Sequence, residues 1–335
     1  MNKLYQVILS LVFCFICNNL YAESKNLSSY SNHQVDDHAP IGVMRDHTHH
    51  KGEFMSSYRI NYMQMKGLKN DTDKVTTQDA LQNYSMVPDK MTMKMHMLGV
   101  MYGINNKLTF ASMLGFVEKN MQNIKGNNSV GKNKVNGVSD LKLNALYQFY
   151  QHDKKRLQFN LGISLPTGSI DNKDSQGKRL AYPMQIGSGS YELLPGVHYS
   201  NKINCFSYGG QINLNFRLNH NKYFYKLGDH YNATAWLAKK LNKNISISSR
   251  LDYNKNEDIE GKDSSLMINM MPTANNSLQA RESLDLLLGT NLLYSEAYLQ
   301  NHRLAFEFTI PLYQKIAGPN LANNYKLTLG WQKVF

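Results

Sequence analysis

Cysteine is scarce in this chain, three in 335 residues. Two of them, Cys14 and Cys17, sit in an apolar stretch from Val7 to Cys17 that follows Lys3 and leads into Leu20-Tyr21-Ala22. A basic residue, an apolar run and a small residue in that order read as a secretory export signal over residues 1–22, with cleavage expected after Ala22. Phe13 and Ile16 stand where a lipid-attachment motif wants a small residue, so no lipid anchor is expected. The mature chain would keep Cys205 alone and form no internal disulfide. Also missing after residue 22 is any apolar run near the ~18 residues a membrane helix needs, in keeping with a mean hydropathy of −0.47. There is no Walker-A loop, which excludes nucleotide-driven transport by this chain.

What the chain does have is alternation. Tyr325, Leu327, Leu329 and Trp331 alternate with Lys326, Thr328, Gly330 and Gln332, and the run closes on Phe335. A strand of about ten residues whose side chains alternate in polarity fits a membrane wall, with one face in lipid and the other in the lumen. Alternating segments recur near 53–65, 91–103, 107–117, 138–150, 156–166, 189–200, 203–218, 229–240, 244–254, 282–293, 302–312 and 324–335. The outward rows are plainest at Phe54, Tyr58, Ile60 and Tyr62, at Leu157, Phe159, Leu161 and Ile163, and at Leu304, Phe306, Phe308 and Ile310. Short connections (104–106, 151–155, 201–202, 241–243) alternate with long ones (66–90, 118–137, 167–188, 255–281), whereas 219–228 and 294–301 are intermediate. Short periplasmic turns and long external loops are the membrane-barrel pattern. The expected fold is therefore all-β, an antiparallel transmembrane barrel of about twelve strands over residues 53–335, preceded by a periplasmic His-rich segment at 23–52. A periplasmic β-sandwich also alternates after an export signal, but the hairpin layout favours the barrel.

Several segments carry a family resemblance. They are His38-Ala39-Pro40-Ile41-Gly42-Val43-Met44, Asp46-His47-Thr48-His49, Met93-Lys94-Met95-His96-Met97-Leu98-Gly99, Leu165-Pro166-Thr167-Gly168-Ser169-Ile170-Asp171, Tyr182 to Ser190, and Trp331-Gln332-Lys333. Together they resemble bacterial outer-membrane proteins associated with meta-cleavage phenol-degradation pathways. That resemblance implies a transporter-like barrel with no catalytic set, and it implies glycine where Arg45 stands. The terminal Phe335 resembles the signal read by the barrel-assembly machinery.

Candidate sites follow from residue chemistry. His38, Asp46, His47 and His49 offer imidazole and carboxylate donors that, if the segment folds back, can converge on Zn or Cu. The plainer alternatives are a solvated pre-strand segment, or a plug whose imidazoles bond to the inner wall. Met91, Met93, Met95 and Met97 form a soft row suited to Cu(I) if it faces inward. The charge of Lys94, on the opposite face, favours placing the methionines toward lipid, even though Leu98, Val100 and Tyr102 share its parity. Expected lumen-facing residues include Lys142, Arg217, Arg250 and Arg303, with Asp140, Asp252 and Glu307 available as partners. The formal net charge of +12, one unit of which is Lys3, suits anionic lipopolysaccharide outside and anionic cargo within. The basic residues form no stripe or recognition motif, so nucleic acid is not implied. Asp229-His230 is reminiscent of Asp/His barrel proteases, yet no second acidic pair accompanies it and no His-x-Ser-Asn lipase signature is present, so no enzyme is expected. The expected function is a passive channel for small solutes, hydrophobic or aromatic compounds among them. Its alternatives are a metal-linked barrel and a closed structural or surface-interaction barrel.

Overall fold

The computed structural model describes Val35, residues 38–294 and residues 301–335. The expected export signal, Asp36-Asp37 and most of the 294–301 connection lie outside the described residues. The strands run in chain order β1 (Phe54–Asp71), β2 (Asp73–Val75), β3 (Met86–Asn105), β4 (Leu108–Lys125), β5 (Val130–Val138), β6 (Leu141–His152), β7 (Lys155–Leu165) and β8 (Glu192–Leu193). They continue with β9 (Gly196–Ile203), β10 (Phe206–Arg217), β11 (Tyr225–Lys226), β12 (His230–Lys240), β13 (Ile245–Asn256), β14 (Glu260–Gly261), β15 (Arg281–Tyr294) and β16 (His302–Val334). Among the described residues a short α-helix, α1 (Thr77–Leu81), is capped by Thr76, whose side chain accepts the Asp79 N–H.

The ladder closes on itself, β1 pairing with β3 on one side and β16 on the other, and β12 with both β10 and β13. Closure satisfies every edge, which a strand in hydrocarbon requires. Eleven elements form the ring, with β2, β5 and β8 bonded outside that path. A ring whose neighbours are all antiparallel must contain an even number of staves, so one element has to count twice. That element is β16: residues 302–316 pair with β15 and residues 316–334 with β1, both antiparallel. It folds back beyond Ile316 and supplies two staves, bringing the wall to the twelve expected from the alternation.

The period-2 pattern sorts cleanly onto two faces. In β7, Arg156, Gln158, Asn160 and Ser164 are buried, whereas Phe159, Leu161 and Ile163 are exposed. In β16, Arg303, Ala305, Glu307 and Thr309 are buried, with Leu304, Phe306 and Ile310 exposed. The outward residues form the apolar belt of a transmembrane barrel. The turn after β3 has the expected chemistry, the Asn105 side chain accepting the N–H groups of Lys107 and Leu108.

Three expectations need correction. The connections 66–90 and 118–137 are largely strand: β1 and β4 run on to Asp71 and Lys125, and β2, β5 and the first part of β3 pair beside them. The apolar alternation stops near 65 and 117, but above the hydrocarbon band both faces of a strand can be polar, as at Lys66, Lys69, Glu118 and Lys119, without losing their ladder. The methionines face inward. Register through β3 is unbroken from Lys90 to Gly103 on the β4 side except at its two ends, so Met93, Met95 and Met97 share the parity of buried Met101, and Leu98, Val100 and Tyr102 point outward. Lys94 does stand on the outer face, but it pairs in register with Tyr62 and Glu118. Near such an interfacial aromatic a lysine costs roughly 0–1 kcal/mol, against 2–4 at the midplane, and its stem lets the ammonium reach water. Finally, the described part of the His-rich segment lies inside the ring, as detailed below, rather than beneath it.

The long connections knit together over one end. Asp263 forms an ion pair with Arg179, whose guanidinium stacks 3.5 Å over the Tyr223 ring, and the Asp263 N–H donates to Tyr182 Oη at 3.0 Å. Lys119, from the wall, donates to the carbonyls of Pro183 and Gln185 at 2.8 and 2.6 Å. If the outer row is the lipid belt, Leu161→Arg should lower barrel stability by roughly 2–4 kcal/mol. Urea unfolding in lipid, followed by heat-modifiable gel migration, measures this, and an unchanged midpoint would place Leu161 away from hydrocarbon.

Candidate functional site: a plugged lumen

Polar side chains pointing into a closed barrel need partners, and here many find them on the backbone of Val35 and residues 38–50. Arg303 donates to the Ala39 carbonyl at 2.6 Å, Gln211 to that of Met44 at 2.9 Å, and Gln158 and Asn160 to that of Arg45 at 2.8 and 3.3 Å. Ser246 Oγ donates to the Val35 carbonyl at 3.4 Å, and the His49 N–H donates to Thr109 Oγ1 at 2.8 Å. These wall residues come from five different staves. The segment is a plug threaded through the lumen, and it leaves at the end with short connections, where the Gly52 N–H bonds to the Gly103 carbonyl.

Apolar plug residues occupy gaps that the wall leaves for them. Ile41, 2% exposed, packs against Gly330, where a Cβ would come within 2.4 Å of it. Ala39 and Val43 cluster with Trp236. Gly42 lies on the Arg250–Glu307 pair, whose two bonds measure 2.8 and 3.0 Å. Arg45 adopts φ +61°, the left-handed region, which accounts for glycine being implied there by the family pattern. Its guanidinium compensates by donating to Asn144 and Asn213 at 2.6 and 3.0 Å.

Three of the four candidate metal donors, His38, Asp46 and His47, bring their donor atoms within 4.8 Å of one another in this plug, and the His49 ring packs against His47. His47 Nδ1 lies 2.8 Å from Asp46 Oδ1 and His38 Nδ1 3.9 Å from Asp46 Oδ2, which also accepts the Ala39 N–H at 2.8 Å. The His38 and His47 rings are 4.4 Å apart and those of His47 and His49 4.7 Å, both edge to face. His38, Asp46, His47 and His49 are all under 9% exposed. Burial pushes the imidazoles of His38 and His49 below their usual range. Burial opposes ionisation of Asp46, but the charge and hydrogen bond of His47, then the charge of His38, outweigh it and hold the carboxyl well below the ordinary range. The His49 hydrogen bond draws Glu53 down to about 2.

Arg250, Arg303 and Glu307 are buried, and Asp140, Lys142 and Arg217 line the cavity described below. Arg250 pairs with Glu307 and with Asp252 at 2.9 Å. Arg217 instead meets Glu192 at 3.2 Å and the Gly228 carbonyl at 2.7 Å. Asp140 accepts from the Gly168 and Ser188 N–H groups, tying a long loop to the wall. Asp229 accepts the Arg217 N–H and the His230 ring meets Asn256 Oδ1, so the two are turned to different partners.

Between the plug and the knitted loops lies a cavity of about 600 Å³. Met63, Met93, Met95, Met97 and Met113 line one side of it, with Met44 of the plug, and Lys119, Lys142, Arg217, Asp140 and Glu192 supply charge. The methionine lining was missed because a lysine of opposite parity was weighed as though it lay at the bilayer midplane. The unbroken parity from Met91 to Met101 was the signal that pointed inward.

A closed twelve-stave wall, an outward apolar belt and a polar, threaded lumen define an outer-membrane-type β-barrel. The chain belongs to the family described as "Putative MetA-pathway of phenol degradation", whose profile matches residues 94–269. Among solved structures, the COG4313 outer membrane channel from Pseudomonas putida F1 is similar with a TM-score of 0.61 at 14% identity, over 87% of this chain and 98% of that one. The Pseudomonas putida toluene transporter TodX is more distant, TM-score 0.40 at 9% identity, over 84% and 89%. None of the curated proteins is similar enough to count as a match.

Docking of the plug depends on close approach at Gly42. A Cβ there would lie 2.2 Å from both Arg250 Nη2 and Glu307 Oε2. Gly42→Ala should therefore loosen the plug and expose residues 38–50 to limited proteolysis in the folded barrel. Cleavage no faster than in the parent would show that docking does not rest on this contact.

Proposed function

We propose that the protein is a passive channel of the bacterial outer membrane for small solutes, aromatic compounds among them. The observation that carries this reading is the cavity between plug and loops. Thioethers are polarisable and flexible, and they make favourable contacts with aromatic rings. A wall of five methionines can follow the shape of a ring without holding it in one geometry. Weak, adaptable contact suits a path that must release what it admits. Lys142 and Arg217 on the same cavity favour an anionic group on the passing solute. The phenol-degradation association of the family supports an aromatic cargo. Asp229 and His230, with their separate partners, support a non-catalytic reading.

A second reading, a closed structural barrel, is favoured by the extent to which the plug occupies the lumen. Single-channel recording on the mature protein in planar bilayers separates the two. Steady conductance is expected, with a reversal potential under a salt gradient showing anion preference. Silence, both in the parent and in the plug-loosened Gly42→Ala, would sink the channel reading. Lys142→Glu should move the reversal potential toward cations, and an unchanged potential would remove Lys142 from the permeation path.

A further inference from the structure

The plug carries chemistry that solute passage does not use. His47 Nδ1 faces Asp46 Oδ1 at 2.8 Å and His49 Nδ1 faces Glu53 Oε2 at 3.1 Å. An ionised carboxylate only accepts, so each Nδ1 carries the ring proton and each Nε2 is left with its lone pair. Both Nε2 atoms are buried without a hydrogen-bond partner. A histidine buried for packing ordinarily satisfies its second nitrogen, since an unmet polar atom is costly. Here two such lone pairs sit on neighbouring rings, and the His38 ring lies against the far side of His47. Donor atoms of His38, Asp46 and His47 fall within 4.8 Å of one another. A carboxylate behind an imidazole fixes the tautomer and raises ligand basicity, the usual support for a metal-bound histidine.

We propose that His38, His47 and His49 bind a divalent first-row transition-metal ion, Zn²⁺ or Cu²⁺, and that Asp46 and Glu53 are the positioning residues behind His47 and His49. Three imidazoles match the preferences of these ions, whereas Mg²⁺ and Ca²⁺ want an all-oxygen shell. The donors bracket the loop from Ala39 to Arg45, so the ion closes that loop into a ring. The same loop offers the carbonyls of Ala39, Met44 and Arg45 to the wall. Metal binding thereby locks the plug in its docked form. This inference stands independently of which solute passes.

The test uses the full mature protein, folded in detergent and stripped with chelator. Titration with CuCl₂ should show one ion per barrel. Its electron paramagnetic resonance spectrum should carry nitrogen splitting from at least two imidazoles, and ZnCl₂ should displace it. His47→Ala/His49→Ala should weaken binding at least tenfold, whereas His152→Ala/His220→Ala, at exposed positions, should leave it unchanged. Absence of stoichiometric binding, or a spectrum without nitrogen coupling, overturns the proposal on the parent protein alone, whether or not the plug variant folds. So does unaltered affinity in a folded His47→Ala/His49→Ala protein. Protection of residues 38–50 from protease should also rise with the metal, and a pattern indifferent to it would refute the locking role.

Discussion

Everything in this molecule follows from closing the ladder. A strand in hydrocarbon cannot leave its N–H and C=O groups unpaired, so the sheet must meet itself. Once it does, side chains of alternate parity face two different solvents. The outward half becomes Leu, Ile, Phe and Tyr. The inward half is free to be polar, and in this chain it is densely so: Arg59, Asn144, Gln158, Asn160, Gln211, Arg250, Arg303 and Glu307 all point inside and are buried. Such groups, withdrawn from bulk water, need partners of their own.

The plug answers that need, and its irregular backbone is an advantage in doing so. A segment without regular secondary structure has carbonyls to spare, and the wall takes those of Val35, Ala39, Met44 and Arg45. Ion pairing within the wall, above all Arg250 with Glu307, settles the charges the plug does not meet. Lumen polarity and plug docking are one interaction seen from two sides. This accounts for glycine on both surfaces, Gly42 against the ion pair and Gly330 against Ile41, because hydrogen bonds of this length require close backbone approach.

The wall was largely legible in the sequence because parity is a local property. The rows of β6, β7 and β16 needed no tertiary information, and the twelve staves were countable from them. The turn at Asn105 was legible for the same reason. What was not legible was depth. Lys94 is one residue in an alternating run, and nothing in that run says whether it lies at the midplane or level with Tyr62 at the interface, a difference that decides which way the methionines face. Long-range partners were equally hidden. Arg217 meeting Glu192, or Asp140 capturing Gly168 and Ser188, depends on where loops land. His38, Asp46, His47 and His49 were recognisable as potential donors from residue type alone. Their position within the barrel depends on wall residues as many as 264 positions away.

The inward methionines and the plug bear on each other. A lumen lined wholly by ionic and amide groups would hold water tightly and offer an aromatic solute nothing. Along β3 the inward face runs from Gly103, set against the His50 backbone of the plug, through buried Met101 to the thioethers of Met97, Met95 and Met93, so the cavity is apolar on one side where the plug ends. Lys142 and Arg217 on the same cavity give a solute both a surface for its ring and an attraction for its charge. The plug then does more than fill space. By meeting the wall's hydrogen-bonding groups below Met44 it leaves the thioethers exposed above, and it thereby sets where along the barrel a solute can dwell and where its path narrows.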